Sequence, residues 1–274
     1  MNENKPTARR VMIISIVALA LFYIAGDWAV YLFGKSGIAL APAFLCAVAA
    51  AKYAASCLSF AVVCSTREDR LDNRDWFWLF FAFVFLILAD FCMVFLYPVL
   101  AALDMNPPAE LQTAGIIYFM AVQTCLIVRH ARNVRNHYRM IRNSPERSVA
   151  KSLSVEAAVL LIATIPVVAA AYAANRNSLP VMIVYGIYVV LSLAAAWTVF
   201  FHRFFPKKNS WMIALGVSCF FLCDVNVGLS FLSPFATTLV WMFYTPTLLL
   251  LSSSGIDFDK RKIISMRRRY FKAS

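Results

Sequence analysis

Four charged side chains interrupt stretches of this chain that are otherwise apolar: Asp27, Lys52, Asp90 and Asp224. A carboxylate near the middle of a membrane-inserted helix costs roughly 2.5–3.5 kcal/mol on insertion scales, so a group kept there has a partner or a task. Asp90 lies in LFFAFVFLILADFCMVF and Asp224 in GVSCFFLCDVNVGL. Two carboxylates sharing a low-dielectric pocket do not both ionise cheaply, so such a pair holds an acid beside a base. That combination is what acid-catalysed hydrolysis needs. A proton-coupled transporter of small solutes or lipids would want the same pair. A non-catalytic structural protein could use these groups only to hold helices together.

Further polar residues fall near the same depth and could join a site: Gln123, Tyr185, Asn226, and Tyr244 with Thr245. Tyr23, one turn before Asp27, and Tyr53, beside Lys52, belong to the same set. Each could equally make an ordinary interhelical hydrogen bond. Lys52 has two readings, a salt bridge to one of the aspartates that fixes helix packing, or a contact to a substrate headgroup. Asp27, nearer the outer surface, reads as a structural acid facing a polar cavity, with substrate binding as its other use.

The elements that carry these groups are membrane helices. The chain has 274 residues, of which 62% are hydrophobic and 15% charged, with a mean hydropathy of +0.71. Globular domains have roughly a quarter charged residues. Eight apolar segments are expected as spans, at about 11–33, 39–64, 76–103, 112–130, 155–174, 180–201, 211–232 and 236–254. The predicted class is all-α, a single polytopic domain over 1–274. The first run follows Lys5, Arg9 and Arg10 as a signal peptide would, but it is too long and lacks a clear small-residue cleavage site. At about 1.5 Å per residue, the four charges fall about 20–24 Å along their spans, in one slab at or just beyond the bilayer midplane.

Lysine and arginine give the orientation. With the N-terminus inside, nearly all of them fall in cytoplasmic connectors, and only Lys35 and Arg176 lie on the outer side. Both termini are therefore expected in the cytoplasm, and the expected location is the plasma (inner) membrane of a bacterium. The formal charge of +12 is distributed through a basic connector at about 131–152 and a basic tail at about 256–274. Such segments suit anionic lipid headgroups, and no nucleic-acid partner is expected. The seven cysteines lie in or beside apolar runs without a metal-ligand or redox spacing, so they read as small apolar fillers. No HExxH, GxSxG or Cys/His set occurs, and no cofactor or metal is expected.

A weak internal echo links the third and seventh segments, in which FAFVFLILAD and VSCFFLCD each end on the aspartate and proline follows at Pro98 and Pro234. Four spans apart means equal orientation, as a parallel repeat would require.

In these motifs the chain resembles the YhhN family of eight-helix, lysoplasmalogenase-like membrane proteins. LFFAFVFLILADFCMVF resembles the helix that ends in a Gly-Asp turn, with Ala89 in place of the glycine and Asp90 kept. AGIIYFMAVQTCLIV resembles the next helix, with Gln123 where the family has histidine, and LGVSCFFLCDVNVGLSF resembles the late motif, with Cys223 replacing serine and Asp224 kept. LPVMIVYGIYVV carries Pro180 and Tyr185 of the sixth helix, and AAAKYAA keeps Lys52 without the usual proline. WMFYTPTLLLLSS keeps Tyr244 but has Thr245-Pro246-Thr247 where Ala-Gln is usual. The resemblance implies a divergent member that cleaves the vinyl ether of a lysophospholipid, with Asp90 and Asp224 as the catalytic pair and Lys52 as a phosphate partner.

Overall fold

The computed structural model describes residues 5–131, 158, 162–168 and 179–258. Among them, seven helices are long and apolar enough to cross a membrane. They are α1 (Lys5–Lys35), α2 (Pro42–Ser65), α3 (Asn73–Ala102), α4 (Ala109–Ala131), α5 (Leu179–His202), α6 (Lys207–Leu229) and α7 (Pro234–Ser253). The described residues are helical apart from turns and short connections, and the short connections make α1 to α4 alternate in direction, as do α5 to α7. The expected fifth span, 155–174, lies largely outside the described residues, within which 162–168 are helical. Seven of the eight expected spans are thus found among the described residues.

Local chemistry explains where the helices depart from regularity. α3 is α-helical to Asp90, π-helical over Phe91–Leu96, and α-helical again over Tyr97–Ala102. Pro98 has no N–H to return to the preceding turn, and a wide turn just before it absorbs that loss. Gly115 of α4 faces this stretch, and any Cβ there would collide with Met93. In α7, Pro246 sits inside the helix. Pro246 leaves the Met242 carbonyl without its helical N–H donor, and the threonines on either side bond the neighbouring carbonyls: Thr245 donates to Trp241 O at 2.8 Å, and Thr247 reaches Phe243 O and Gly216 O at 3.1 Å.

One end of the bundle is tied by a buried polar latch. Arg129, near the end of α4, donates to both carboxylate oxygens of Asp75 at the start of α3, at 2.8 and 3.0 Å, and to Ser254 Oγ at 2.8 Å. All three side chains are fully buried. Asn209, in the first turn of α6, donates to the carbonyls of Ser254 and Ile256, both at 2.8 Å. The segment after α7 is strapped to the loop before α3 through Leu71 N to Gly255 O at 3.1 Å and Asp257 N to Asp69 O at 2.7 Å. Arg9 of α1 reaches Ser65 O at 2.6 Å and Asp69 at 3.3 Å. Arg129, at the end of the fourth apolar segment, is thus part of the bundle interior.

Above the latch lies a dry layer in which Leu79, Phe83, Leu86, Leu126, Ile213, Val217, Leu248 and Leu251 are all 2% exposed or less. This layer separates the latch from the polar groups that the sequence singled out.

Candidate functional site

A cavity of about 480 Å³ opens inside the bundle above that layer. Its floor is set by Phe119, Phe220 and Tyr244, and its wall includes Met93, Val94 and Pro98 from the irregular part of α3, Val167, and Met182, Gly186 and Val189 of α5. The polar residues on it are Lys52, Asp90, Tyr97, Gln112, Tyr185, Asp224, Ser230, Thr237 and Tyr244. Asp90 and Asp224, far apart in sequence and on different helices, therefore face one enclosure. Its size falls within the about 300–1,000 Å³ typical of small-molecule sites, and its walls are mainly apolar.

Each aspartate is held by a tyrosine. Tyr244 Oη donates to Asp90 Oδ2 at 2.8 Å, and Ser56 Oγ donates to the same oxygen at 2.5 Å. Asp90 Oδ1 is buried and has no hydrogen-bond partner among the described residues. Tyr185 Oη donates to Asp224 Oδ2 at 2.9 Å, with Gln123 Nε2 at 3.5 Å from that oxygen. The two arrangements differ in access: Asp90 is fully buried, whereas Asp224 is half-buried and reaches the cavity. Cys223, next to Asp224, fills the wall as a small apolar side chain.

The second ion pair of the interior joins α1 to α2. Lys52 Nζ lies 2.6 Å from Asp27 Oδ1 and 5.2 Å from the centre of the Trp241 ring. Lys52 makes the salt bridge that was one of its two expected roles, and it still lines the cavity. Asp27 stands behind it, off the wall, with Oδ2 buried and unpartnered among the described residues. Tyr23 Oη and Thr245 Oγ1 share a hydrogen bond of 2.5 Å beside this pair, and Tyr23 packs edge-on against Trp241.

The sequence-derived set divides accordingly. Lys52, Asp90, Tyr185, Asp224 and Tyr244 share the cavity wall. Gln123 is behind the wall and touches Asp224. Asn226 does not join the site: its amide donates at 2.7 Å to Leu222 O, one turn back on its own helix. Tyr53 is also elsewhere, stacked on Phe95 with ring centres 5.5 Å apart. Sequence reasoning missed Ser56, which lies one helical turn after Lys52 and therefore on the same face of α2. It also missed the Asp75–Arg129 pair, because charges at helix ends look like ordinary connector residues.

Among the described residues, no cluster of three or more His, Cys, Asp or Glu side chains has the arrangement to hold a metal ion. What the site can offer chemically is two tyrosine-anchored carboxyl groups, one ammonium and a mainly apolar chamber. Comparison of the chain with family models, with curated proteins and with solved structures finds no match.

Proposed function

We propose that this protein is a membrane-embedded hydrolase of single-chain ether lipids that cleaves a vinyl ether bond. The observation that carries the reading is the meeting of Asp90 and Asp224 on one mainly apolar cavity, each fixed by a tyrosine hydroxyl. A vinyl ether is opened by placing a proton on its β-carbon, which leaves an oxocarbenium ion at the α-carbon. Asp224, the more accessible carboxyl, supplies that proton in its acid form. Asp90, with Tyr244, stabilises the cation and orients water. Water adds to the α-carbon and gives its proton back to a carboxylate. The hemiacetal then collapses to an aldehyde and a free glycerol hydroxyl, so the net change is the addition of one water. The resemblance to the YhhN family, drawn from short and partly altered motifs, points to the same substrate class, a lysophospholipid.

The proposed topology has eight spans with both termini in the cytoplasm, and the proposed location is a bacterial plasma membrane. Support for the eighth span comes from α4 ending at the latched end while α5 begins at the other. Support for the orientation comes from Arg67, Arg70, Arg74, Arg203, Lys207 and Lys208, all at the latched end, with Lys35 at the far one. The basic connector and tail would lie on anionic lipids of the inner leaflet.

The test is an aldehyde-release assay with purified protein, comparing vinyl-ether, alkyl-ether and acyl lysolipids of equal chain length. Release from the vinyl ether alone is expected, and inertness toward all three refutes the hydrolase.

A further inference from the structure

We propose that the cavity exchanges its ligand through one end of the bundle only, the end opposite the Asp75–Arg129 latch. In the orientation proposed above, the site draws a single-chain lipid from the outer leaflet and returns the product there. The choice of leaflet rests on that topology and the lipid on the proposed function. The one-sidedness rests on neither.

The two ends of the bundle differ in what lies at each depth. Measured along the helices at about 1.5 Å per residue, the cavity floor at Phe119 and Tyr244 stands roughly 15 Å above Arg129 and Ser254. That interval is filled by the dry layer, with Leu79 and Leu248 at 0% exposure, and is closed beneath by the bidentate pair. Upward, the wall becomes progressively open. Phe220 and Tyr244 at the floor are 1% and 3% exposed, whereas Phe231 near the top is 60% exposed, and Gln112 and Thr237 are also exposed. These upper residues come from the end of α6, the start of α4 and the start of α7, which all lie at the unlatched end. A ligand leaving toward the latch would have to push through tightly packed side-chain layers and a desolvated ion pair. Leaving upward, it passes Trp241 and then meets side chains such as Phe231, Gln112 and Thr237 that are already open to the surroundings.

An alternating-access transporter would in addition need the latched end to open in a second state. Among the described residues, four helices pinned at one end by Asp75, Arg129, Asn209 and Ser254 form a fixed base without a second mouth.

The experiment uses the full chain in vesicles, sorted by which end faces outward through protease access to the C-terminal tail. A fluorophore is attached at Thr237→Cys, on a background in which the native cysteines are alanine. An alkyl-ether lysolipid with a nitroxide headgroup is added from outside, and in parallel a vinyl-ether lysolipid is supplied to the unmodified protein. Both quenching and aldehyde release are expected at least tenfold faster when the lipid enters the leaflet at the unlatched end. Equal rates from both leaflets, or faster rates from the latched side, overturn the proposal. Absence of quenching from either side also overturns it, since the cavity would then not be entered from the bilayer. One-sided quenching without aldehyde release from any preparation sustains the one-sided site and rejects the hydrolase instead.

Discussion

Tyr244 of α7 places its hydroxyl 2.8 Å from Asp90 of α3, so the last helix of the bundle holds an acid presented by the third. Tyr185 of α5 does the same for Asp224 of α6 at 2.9 Å. Each carboxyl is thereby locked in one rotamer by a donor from a helix other than its own. In the proposed reaction this is preorganisation, with both groups already aimed before the lipid binds.

Replacing either acid by its amide keeps the size and removes the proton chemistry. Asp224→Asn and Asp90→Asn are each expected to lower aldehyde release by about 100-fold or more, the usual contribution of a positioned acid or base. Circular dichroism and size exclusion in detergent should stay unchanged. Activity within tenfold of the parent for both variants would remove the acid pair from the mechanism.

Ser56 shares Asp90 Oδ2 with Tyr244, so its loss leaves a buried acceptor with one donor where it had two. Ser56→Ala is expected to cost about 1–3 kcal/mol of stability. Its rate should fall less than that of Asp90→Asn, and Ser56→Thr should recover some of the loss. Thermal unfolding in detergent read against aldehyde release distinguishes the two effects.

The latch gives a prediction about stability alone. Arg129→Met strands the Asp75 carboxylate in a fully buried position, and removal of one partner from such a pair costs about 3–5 kcal/mol. The double variant Arg129→Met with Asp75→Leu removes both charges and should recover most of that loss. Equal destabilisation of the single and double variants would show that packing, and not the ion pair, holds the base of the bundle.

Gly115 lets α4 approach the irregular stretch of α3, where a Cβ would meet Met93. Gly115→Ala should overpack this contact and cost about 1–3 kcal/mol. Because Met93 lines the cavity, the same change should also weaken lysolipid binding. Adding Met93→Ala to that variant should restore stability. A melting curve of the pair of variants, with binding followed by nitroxide quenching, checks both statements.

The acids were legible in the sequence because a charge in an apolar run has no cheap explanation, and the same anomaly exposed Lys52. Tyr185 and Tyr244 were legible as polar groups at the same depth. Ser56 was not, since a serine in a membrane helix usually bonds its own backbone, as Ser59 does to Ala55 O at 2.8 Å. Asn226 shows the opposite error: its depth was right, but its amide turns back to Leu222 and away from the cavity. Asp27 was found by its charge, yet charge alone could not say that it would stand behind Lys52 and off the wall. The seven described spans followed from hydropathy. The latch did not, because Asp75 and Arg129 are distant in sequence and each looks solvated at its own helix end.

The wide turn at Phe91–Leu96 amounts to one surplus residue in the winding of α3. A wide turn absorbs its extra residue locally, so excising a single residue from that stretch would return it to ordinary α winding, with Tyr97 and Pro98 keeping their bearing about the helix axis. Asp90, which precedes the stretch, would keep its place beside Ser56 and Tyr244. What would change is the set of side chains, Met93 and Val94 among them, that this turn presents to the chamber, so the shape of that wall and the position of Asp90 are set by separate stretches of α3.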